Sequence, residues 1–276
     1  MKYRYPSVLT IAGSDSGGGA GIQADLKTFS ALGCYGTSAI TAITVQNTLG
    51  VTGIHSIPAD IVQGQIKAVM DDINPSAIKI GMVHSTALAV AISDTLRAYK
   101  NTPVVFDPVM VATSGDKLIK DDTVSVLKTV MFPLMTLITP NLEEAEILVQ
   151  QKITSVEEMR AAAKSLLQTG CSAVLLKGGH LKGEQVYDVY VNKNGDEKIY
   201  ESAYIQSENV HGTGCTLSSA IAAYLSLHCN LDEAISKARV YIYQAILHGR
   251  EVKTGHGHGP LNHFFNPQKL QLYEME

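Results

Sequence analysis

The sequence lacks the features of several specialised protein classes. Its 276 residues contain no apolar run that approaches the length of a membrane span, and the N-terminus has only a short apolar stretch before Gly13. Neither sign of charge dominates, since 22 Lys and Arg stand against 26 Asp and Glu, with a formal net charge of −4. These observations argue against a nucleic-acid or membrane partner, so we expect a cytoplasmic protein that acts on small molecules.

Cysteine is also scarce, and the four cysteines form no C-x-x-C pair. They are Cys34, Cys171, Cys215 and Cys229. This spacing favours neither a zinc knuckle nor a disulfide framework. No Pro/Ser-rich linker, charge block or low-complexity tract divides the chain, and 45% of its residues are hydrophobic. We therefore expect one domain over residues 1–276 with a sizeable core.

The chain instead contains apolar, strand-like runs that alternate with helical patterns. The predicted strands are 7–11, 38–45, 77–80, 104–106, 137–138 and 173–176, and the predicted helices are 20–32, 60–73, 86–99, 122–130, 143–149, 216–227 and 231–250. This alternation predicts an α/β protein with a mainly parallel sheet that is covered on both faces. Alternating residues near 48–57 and 187–205 indicate small antiparallel ribbons beside the main sheet.

The segment His-Gly-Thr-Gly-Cys-Thr at 211–216 directly precedes the main run of a predicted amphipathic helix. Exposed N–H groups at a helix N-terminus bind anions, and glycines let a phosphate approach the backbone closely. The same field favours a thiolate, so we expect the pKa of Cys215 to be lowered. The alternative is an ordinary glycine-rich turn in front of a buried cysteine.

Other polar residues follow predicted strands, which is where open α/β sheets bind their ligands. The glycines at 13–21 suit a phosphate, but they match neither a P-loop nor the G-x-G-x-x-G register. Asp107 ends one strand as a candidate carboxylate or a turn residue. Lys177 ends another as a candidate cation or a solvated lysine. Asn141 and Glu144 follow a third strand, where the pair also fits an ordinary helix cap.

Five motifs at these strand exits occur in a fixed order along the chain. They are A-G-x-D-x-x-G-G-A-G-I-Q-A-D from Ala12, D-P-V-M from Asp107, T-P-N-x-x-E from Thr139, K-G-G-H from Lys177 and H-G-T-G-C-T from His211. Together they resemble the ribokinase-like superfamily and, within it, the hydroxymethylpyrimidine/phosphomethylpyrimidine kinases of thiamin synthesis. The resemblance extends from Leu9 to about Phe264. It implies a three-layer α/β/α fold and a homodimer that uses ATP and Mg²⁺.

The resemblance also implies the substrate, 4-amino-5-hydroxymethyl-2-methylpyrimidine, which is phosphorylated to the monophosphate and then to the diphosphate. The residues that it places around the substrate ring are Gly13, Asp15, Ala20, Gln46, Met82, Val109 and Cys215. The amide of Gln46 can donate to and accept from an aminopyrimidine edge, and Met82 and Val109 would supply apolar walls. Pyridoxal kinase of vitamin B6 salvage shares the scaffold and is the alternative, although its members most like this family carry a different residue in place of Gln46.

Phosphoryl transfer depends on positioning and charge neutralisation, and the resemblance distributes these roles among strand exits. Lys177 would neutralise the phosphates of ATP, and Thr213 would also contact the nucleotide. Asn141 and Glu144 would hold Mg²⁺ largely through water, with Asp107 as a further member of that network.

The backbone N–H groups from Gly212 through Gly214 to Cys215 would stabilise charge on the transferred phosphoryl group. The segment 109–117 reads as a loop that closes over the phosphates, or as a surface loop without such a role. Most of the superfamily has an aspartate where this chain has Cys215. We hypothesise that Cys215 is the base for the first phosphorylation, and that as a neutral thiol it tolerates a dianionic acceptor in the second.

Two other classes use different features of the same sequence. A nicotinamide-dependent oxidoreductase would use the early glycines as a dinucleotide loop, but it leaves Lys177 and Cys215 unexplained. A metal-binding or regulatory module would use His248, His256, His258 and His263, although these histidines share no helical face. For the glycine-rich segment 254–259 we instead expect packing near the nucleotide or substrate entrance.

Overall fold

A nine-stranded sheet runs through the centre of the protein, a computed structural model that describes residues 2–110, 119, 121–179 and 183–275. The strands are β1 Tyr3–Arg4, β2 Ser7–Asp15, β3 Tyr35–Asn47, β4 Gly50–Ser56, β5 Ala77–Ile80, β6 Val104–Phe106, β7 Leu137–Ile138, β8 Ala173–Lys177, β9 Gln185–Asn192, β10 Glu197–Ala203 and β11 Tyr273–Glu274. The helices are α1 Gly21–Ala31, α2 Ala59–Asp72, α3 Thr86–Leu96, α4 Asp121–Val126, α5 Leu142–Val149, α6 Val156–Leu167, α7 Thr213–Ser226 and α8 Leu231–Gly249.

The order of the strands in the central sheet is β10-β9-β8-β7-β6-β5-β2-β3-β4. Strands β2, β3 and β5 to β8 are parallel, as their periodic alternation with helices predicts. The two ribbons predicted at the edge are antiparallel and extend the same sheet at both ends, because β4 pairs with β3 and β9 pairs with β8. Strands β1 and β11 form a separate two-stranded sheet.

Helices cover both faces of the sheet, which confirms the predicted three-layer α/β/α fold. Successive strand residues point to opposite faces. Val105 therefore packs with Leu217 and Ile221 of α7 in one core, whereas Val104 and Phe106 belong to the core on the other face. The first layer contains α1, α7 and α8, and the second contains α2 to α6. This arrangement leaves the carboxyl ends of the parallel strands together at one edge.

The structure corrects two predicted elements and adds a helix. Strand β2 continues beyond the predicted end at 11 as far as Asp15, past an irregularity between Ala12 and Ser14, so part of the glycine-rich segment is strand. The predicted helix 122–130 loses its regular pattern at Leu127–Met131, a π-helical turn just before Pro133. Helix α6 was not predicted; its buried stripe is only Met159, two alanines and Leu166, which is a weak hydrophobic signal.

No helix in the described part of the chain combines the length and the apolar character needed to cross a membrane. All four cysteines are free thiols; Cys34 and Cys171 are buried and Cys215 and Cys229 are half-buried.

Candidate active site

The predicted site residues gather at the carboxyl ends of the parallel strands. Asp15 ends β2, Gln46 lies near the end of β3, Asp107 follows β6 and Lys177 ends β8. Helix α7 begins at Thr213 and directs its N-terminus to the same edge, since its first turn lies against Lys177 and Asp107. The geometry therefore brings together motifs that are separated by up to about 200 residues in sequence, as ligand sites of open α/β sheets require.

Asp15 organises the glycine-rich loop between β2 and α1. Its carboxylate accepts hydrogen bonds from the backbone N–H groups of Gly17 at 2.8 Å, Gly19 at 3.0 Å and Ala20 at 2.9 Å. His211 Nε2 lies 3.1 Å from the same carboxylate. Burial opposes ionisation of Asp15, but His211 and the backbone donors outweigh it and lower the pKa. A buried carboxylate at this point is therefore ionised and fixes the loop.

His211 joins this loop to Gln46 and was not among the predicted site residues. Its Nε2 lies 3.3 Å from the side-chain nitrogen of Gln46, while the Gln46 oxygen lies 3.0 Å from the hydroxyl of Thr44. The side chain of His211 is only 14% exposed. The sequence signal that could have identified His211 is its position at the start of the H-G-T-G-C-T motif, because that position faces the strand exits. The histidine thus holds two predicted substrate residues, Asp15 and Gln46, in one cluster.

Three further substrate candidates lie along the neighbouring strand exits. A methyl group added at Gly13 would lie 2.8 Å from the Met82 methyl carbon, so these residues are adjacent. Val109 is half-buried, and its N–H donates to the carbonyl of Asp107 at 2.8 Å in a tight turn after β6. Residues 111–117 of the predicted loop, and the final His180 of K-G-G-H, lie outside the described residues.

Lys177 and Asp107 form an ion pair at the centre of the edge. Lys177 Nζ lies 2.7 Å from Asp107 Oδ1, which also accepts a hydrogen bond from the Thr139 hydroxyl at 3.0 Å. Burial lowers the pKa of Lys177, but Asp107 and Glu144 outweigh it and raise the pKa, so the lysine stays cationic. Lys177 is therefore not the solvated lysine that the sequence left open.

The N-terminus of α7 approaches this ion pair closely. A methyl group at Gly214 would lie 3.1 Å from Lys177 Nζ and 3.2 Å from Asp107 Oδ2. The residue before the helix, Gly212, has a φ of 85° and supplies no side-chain cap, and any side chain there would collide with the carbonyl oxygen of Gly19. The first N–H groups of α7 thus face the site without a side-chain cap, which suits an anion.

Asn141 and Glu144 form a helix cap, which was the alternative to a ligand role in the sequence analysis. Asn141 Oδ1 accepts from the Glu144 N–H at 2.9 Å, and Glu144 Oε2 accepts from the Asn141 N–H at 2.8 Å. Burial raises the pKa of Glu144 to about 7, with Lys177 acting in the opposite direction and Asp107 adding to the rise. The cap does not remove the carboxylate from the site, because Glu144 still lies within the field of Lys177.

This donor set fits a Mg²⁺ ion that is held mainly by water and nucleotide phosphates. Mg²⁺ in nucleotide sites characteristically uses one or two carboxylates and keeps several waters. Asp107 and Glu144 supply two carboxylates, each already engaged by a protein donor. Among the described residues no group of three or more His, Cys, Asp or Glu could form a protein cage for a metal.

The predicted lowering of the Cys215 pKa is wrong. Burial raises the pKa of this thiol to about 11, although Lys79 and the Gly21 N–H act to lower it. A helix N-terminus contributes about 0.3–1 kcal/mol, less than one pKa unit, so it does not offset the loss of solvation. Cys215 is consequently a neutral thiol in the free protein.

The glycine-rich segment 254–259, for which we expect packing near the nucleotide or substrate entrance, packs on the β3–β4 turn. The N–H groups of His256 and Gly257 donate to the Thr48 hydroxyl, each at 3.2 Å, just beyond Gln46 in the β3–β4 turn. His263, offered as a metal ligand, instead lies buried 3.0 Å from the Thr216 hydroxyl, and burial lowers its pKa to about 4. This segment connects the β3–β4 ribbon to the start of α7.

Similarity to known kinases extends over nearly the whole chain. The family model for phosphomethylpyrimidine kinase matches residues 15–262. The hydroxymethylpyrimidine/phosphomethylpyrimidine kinase of Rhizobium meliloti (strain 1021) is 50% identical over 258 residues, which are 93% of this chain and 96% of that protein. The solved phosphomethylpyrimidine kinase of Clostridium difficile 630 is 47% identical, with a TM-score of 0.77 over 87% of this chain and 99% of that one. The pyridoxal kinase of Staphylococcus aureus in complex with AMP-PCP is 32% identical, with a TM-score of 0.87 over 99% of this chain and 100% of that one.

Proposed function

The chain belongs to the phosphomethylpyrimidine kinase family, and we propose that its strand-exit site phosphorylates 4-amino-5-hydroxymethyl-2-methylpyrimidine and then the resulting monophosphate. The predicted enzyme class, a hydroxymethylpyrimidine/phosphomethylpyrimidine kinase, is confirmed by this membership. One observation carries the proposal for the site. Lys177 and Asp107 meet the uncapped N-terminus of α7 beside the cluster of Asp15, His211 and Gln46.

The two parts of this edge have different roles in phosphoryl transfer, and the part formed by Lys177 and the N-terminus of α7 binds the phosphates. Lys177, kept cationic by Asp107, neutralises phosphate charge, and the N–H groups at Gly214 and Cys215 stabilise the charge that develops on the transferred group. Mg²⁺ held by Asp107 and Glu144 largely through water would add to the neutralisation of the nucleotide phosphates. A relative in complex with AMP-PCP supports ATP as the donor.

The second part of the edge holds the acceptor. The amide of Gln46 can donate to and accept from the ring nitrogen and amino group of an aminopyrimidine. Asp15 and His211 hold the loop from Gly17 to Ala20 against that amide, so the acceptor lies next to the N-terminus of α7. Met82 and Val109 supply apolar side chains for the ring.

Cys215 accounts for the use of one site in successive reactions. In the first reaction the acceptor hydroxyl must lose its proton as it attacks, and the small thiolate fraction of Cys215 accepts it. In the second reaction the acceptor is a phosphate monoester whose second pKa is about 6, so it is already ionised at pH 7. A neutral thiol does not repel that dianion, whereas the aspartate found in most of the superfamily would.

An assay with ATP and Mg²⁺ and three alternative acceptors tests this function. The acceptors are hydroxymethylpyrimidine, its monophosphate and pyridoxal, each followed by the formation of ADP and of the phosphorylated product. We expect turnover of both pyrimidines, with kcat/KM for pyridoxal at least about tenfold lower because Gln46 complements an aminopyrimidine edge. Turnover of pyridoxal alone would overturn the proposal in favour of vitamin B6 salvage.

We also propose that residues 1–276 act as one kinase domain that pairs with a second copy. The β3–β4 ribbon supports pairing because it exposes apolar side chains at the edge of the sheet, namely Ile43, Val45, Leu49 and Ile54, which are 47–68% exposed. Isolated apolar residues are common on surfaces, but a group on one ribbon fits an interface. Sedimentation equilibrium distinguishes a dimer from a monomer.

A further inference from the structure

A buried ion pair that the proposed function does not use lies beneath Cys215. Lys79, in β5, and Asp25, in α1, are both completely inaccessible to solvent. Lys79 Nζ contacts both carboxylate oxygens of Asp25, at 2.8 and 2.9 Å. The two residues are 54 positions apart in sequence, so the pair forms only when α1 packs on the sheet.

Both oxygens of Asp25 also accept hydrogen bonds from other side chains. The hydroxyl of Thr10 donates to one Asp25 oxygen at 2.6 Å, and the hydroxyl of Ser219 donates to the other at 2.7 Å. Removing two charges from water is costly, and well-packed apolar residues in place of a buried ion pair are often neutral or stabilising. Stability alone is therefore a weak explanation for a charged pair at this position.

The pair is aligned with Cys215 by the packing of α1 against α7. Asp25 meets Ser219 at one point of this contact, and at the start of the two helices Gly212 lies against Gly19 and Ala20. Cys215 therefore lies one helical turn before Ser219, level with Gly21, whose N–H acts to lower the pKa of the thiol. One turn is about 5.4 Å along a helix, so the carboxylate and its lysine lie just below the thiol. A methyl group at Gly81 would lie 2.9 Å from Lys79 Nζ, which places the ammonium near the strand exit.

Four charged groups from different elements act on the thiol. Lys79 of β5 lowers the pKa of Cys215, whereas Asp25 of α1 and Asp107 after β6 raise it, and Lys177 of β8 faces it from the phosphate side. Lys79 has the largest effect among the charges that act on Cys215. Asp25 raises the pKa of Lys79 against the effect of burial, so the lysine stays cationic.

We propose that Lys79, held in place by Asp25, is a positioning residue that stabilises the thiolate of Cys215 for the first phosphorylation. This inference rests on the proposed function. In that step the O–H bond of the acceptor breaks and its proton moves to the Cys215 thiolate. A bond forms between the acceptor oxygen and the γ-phosphorus, and the bond from that phosphorus to ADP breaks. The resulting thiol later returns its proton to solvent.

Alkylation of Cys215 by iodoacetamide in the free protein tests the electrostatic part without any substrate. Only the thiolate reacts, so its rate at fixed pH reports the thiolate fraction. We expect Lys79→Met to slow alkylation by about threefold or more, because a rise of one pKa unit lowers the thiolate fraction tenfold while the thiolate itself becomes a better nucleophile. The double variant Asp25→Asn/Lys79→Met removes both buried charges and keeps hydrogen-bond acceptors for Thr10 and Ser219. It should also be slower than the wild type.

Two controls separate this effect from unfolding or a general loss of charge. Lys198→Met removes a lysine from an exposed pair with Asp232, 2.9 Å apart, and should leave alkylation of Cys215 unchanged. Cys34 and Cys171 are buried and should stay unmodified in every folded variant. Mass spectrometry after cleavage at Tyr224 resolves Cys215 from Cys229. An unchanged rate at Cys215 in either Lys79 variant would overturn the proposal.

The two phosphorylation steps provide the second readout. In the double variant, kcat for hydroxymethylpyrimidine should fall by about twofold or more beyond any fall in kcat for the monophosphate, because only the first step needs a base and the effect of Lys79 on the thiol exceeds the opposite effect of Asp25. Equal losses in both steps would also overturn the proposal, since a merely structural role predicts them. If the wild-type protein phosphorylates neither acceptor, the proposed function fails, while the alkylation rates still decide whether Lys79 acts on the thiol.

Discussion

In the proposed function, the side chain at position 215 must satisfy opposite requirements of two acceptors. A hydroxyl acceptor needs a base, whereas a phosphate acceptor needs the absence of a nearby negative charge. The burial that raises the pKa of the Cys215 thiol to about 11 meets the second requirement directly. It meets the first only through the minor thiolate fraction, which makes the first step sensitive to pH.

We therefore predict different pH dependences for the two steps. Because the pKa of Cys215 is raised to about 11, its thiolate fraction increases about tenfold per pH unit below that value. The ratio of kcat/KM for hydroxymethylpyrimidine to that for the monophosphate should rise between pH 7 and pH 9. The ratio removes the pH dependence of groups that serve both steps equally. In Cys215→Ser the ratio should no longer rise with pH. A ratio that stays constant with pH would exclude the thiolate as the base.

Individual residues also show where sequence reasoning succeeds and where it stops. Asp107 and Lys177 were candidates because each follows an apolar strand, and strand exits of a parallel sheet meet at one edge, whereas Asp15 came only from the family resemblance. Asp25 lies on the same helical face as Ile22 and Phe29, so the sequence alone indicates that it is buried. The residue that pairs with it cannot be predicted from this local spacing. The pKa of Cys215 depends on tertiary burial and on charges from four elements, which no local pattern contains.

At the scale of elements, the site depends on how closely α7 docks on the loop before α1. Gly212 adopts a left-handed backbone with a φ of 85° and lies against the carbonyl of Gly19. This contact sets the position of the N–H groups that face Lys177. It also aligns the first turns of α1 and α7, which places Cys215 beside Gly21.

Substitution of Gly212 by alanine should disable both reactions together. The added methyl group collides with Gly19, and the left-handed conformation costs an L-residue about 1–2 kcal/mol. Displacing the helix N-terminus removes oxyanion-type donors, so kcat should fall about 100-fold in both steps. Gly64→Ala is the matched control, because nothing lies within 4 Å of a methyl group there and alanine favours the interior of α2. Near wild-type rates in Gly212→Ala would show that this docking contact does not support catalysis.

The elements themselves were largely predictable, and the missed helix α6 is the most informative exception. Short buried strands such as β5 and β6 are continuous apolar runs bounded by turn residues, and their predicted bounds agree with the structure. Helix α6 was missed because alanines supply half of its buried stripe, so its hydrophobic periodicity is weak. Ser155 nevertheless caps its N-terminus. Helical propensity and capping, rather than hydrophobicity, carried the signal there.

At the scale of the whole molecule, the three layers bring acceptor and donor groups to one edge. Cores on both faces fix the parallel strands, and the resulting exits place the Gln46 cluster next to the N-terminus of α7. The β3–β4 ribbon and the segment 254–259 are joined through Thr48 and flank the side of this edge that we propose for the acceptor. We infer that this architecture provides a single acceptor site at the sheet edge rather than one site for each substrate.

Product inhibition of the first reaction tests this single-site account most directly. If one site accepts both hydroxymethylpyrimidine and its monophosphate, the monophosphate should inhibit the first phosphorylation competitively with respect to hydroxymethylpyrimidine at saturating ATP. Increasing hydroxymethylpyrimidine should then restore the full initial rate of its own phosphorylation. Inhibition that high concentrations of hydroxymethylpyrimidine do not relieve would show that the monophosphate binds elsewhere, and it would contradict the account.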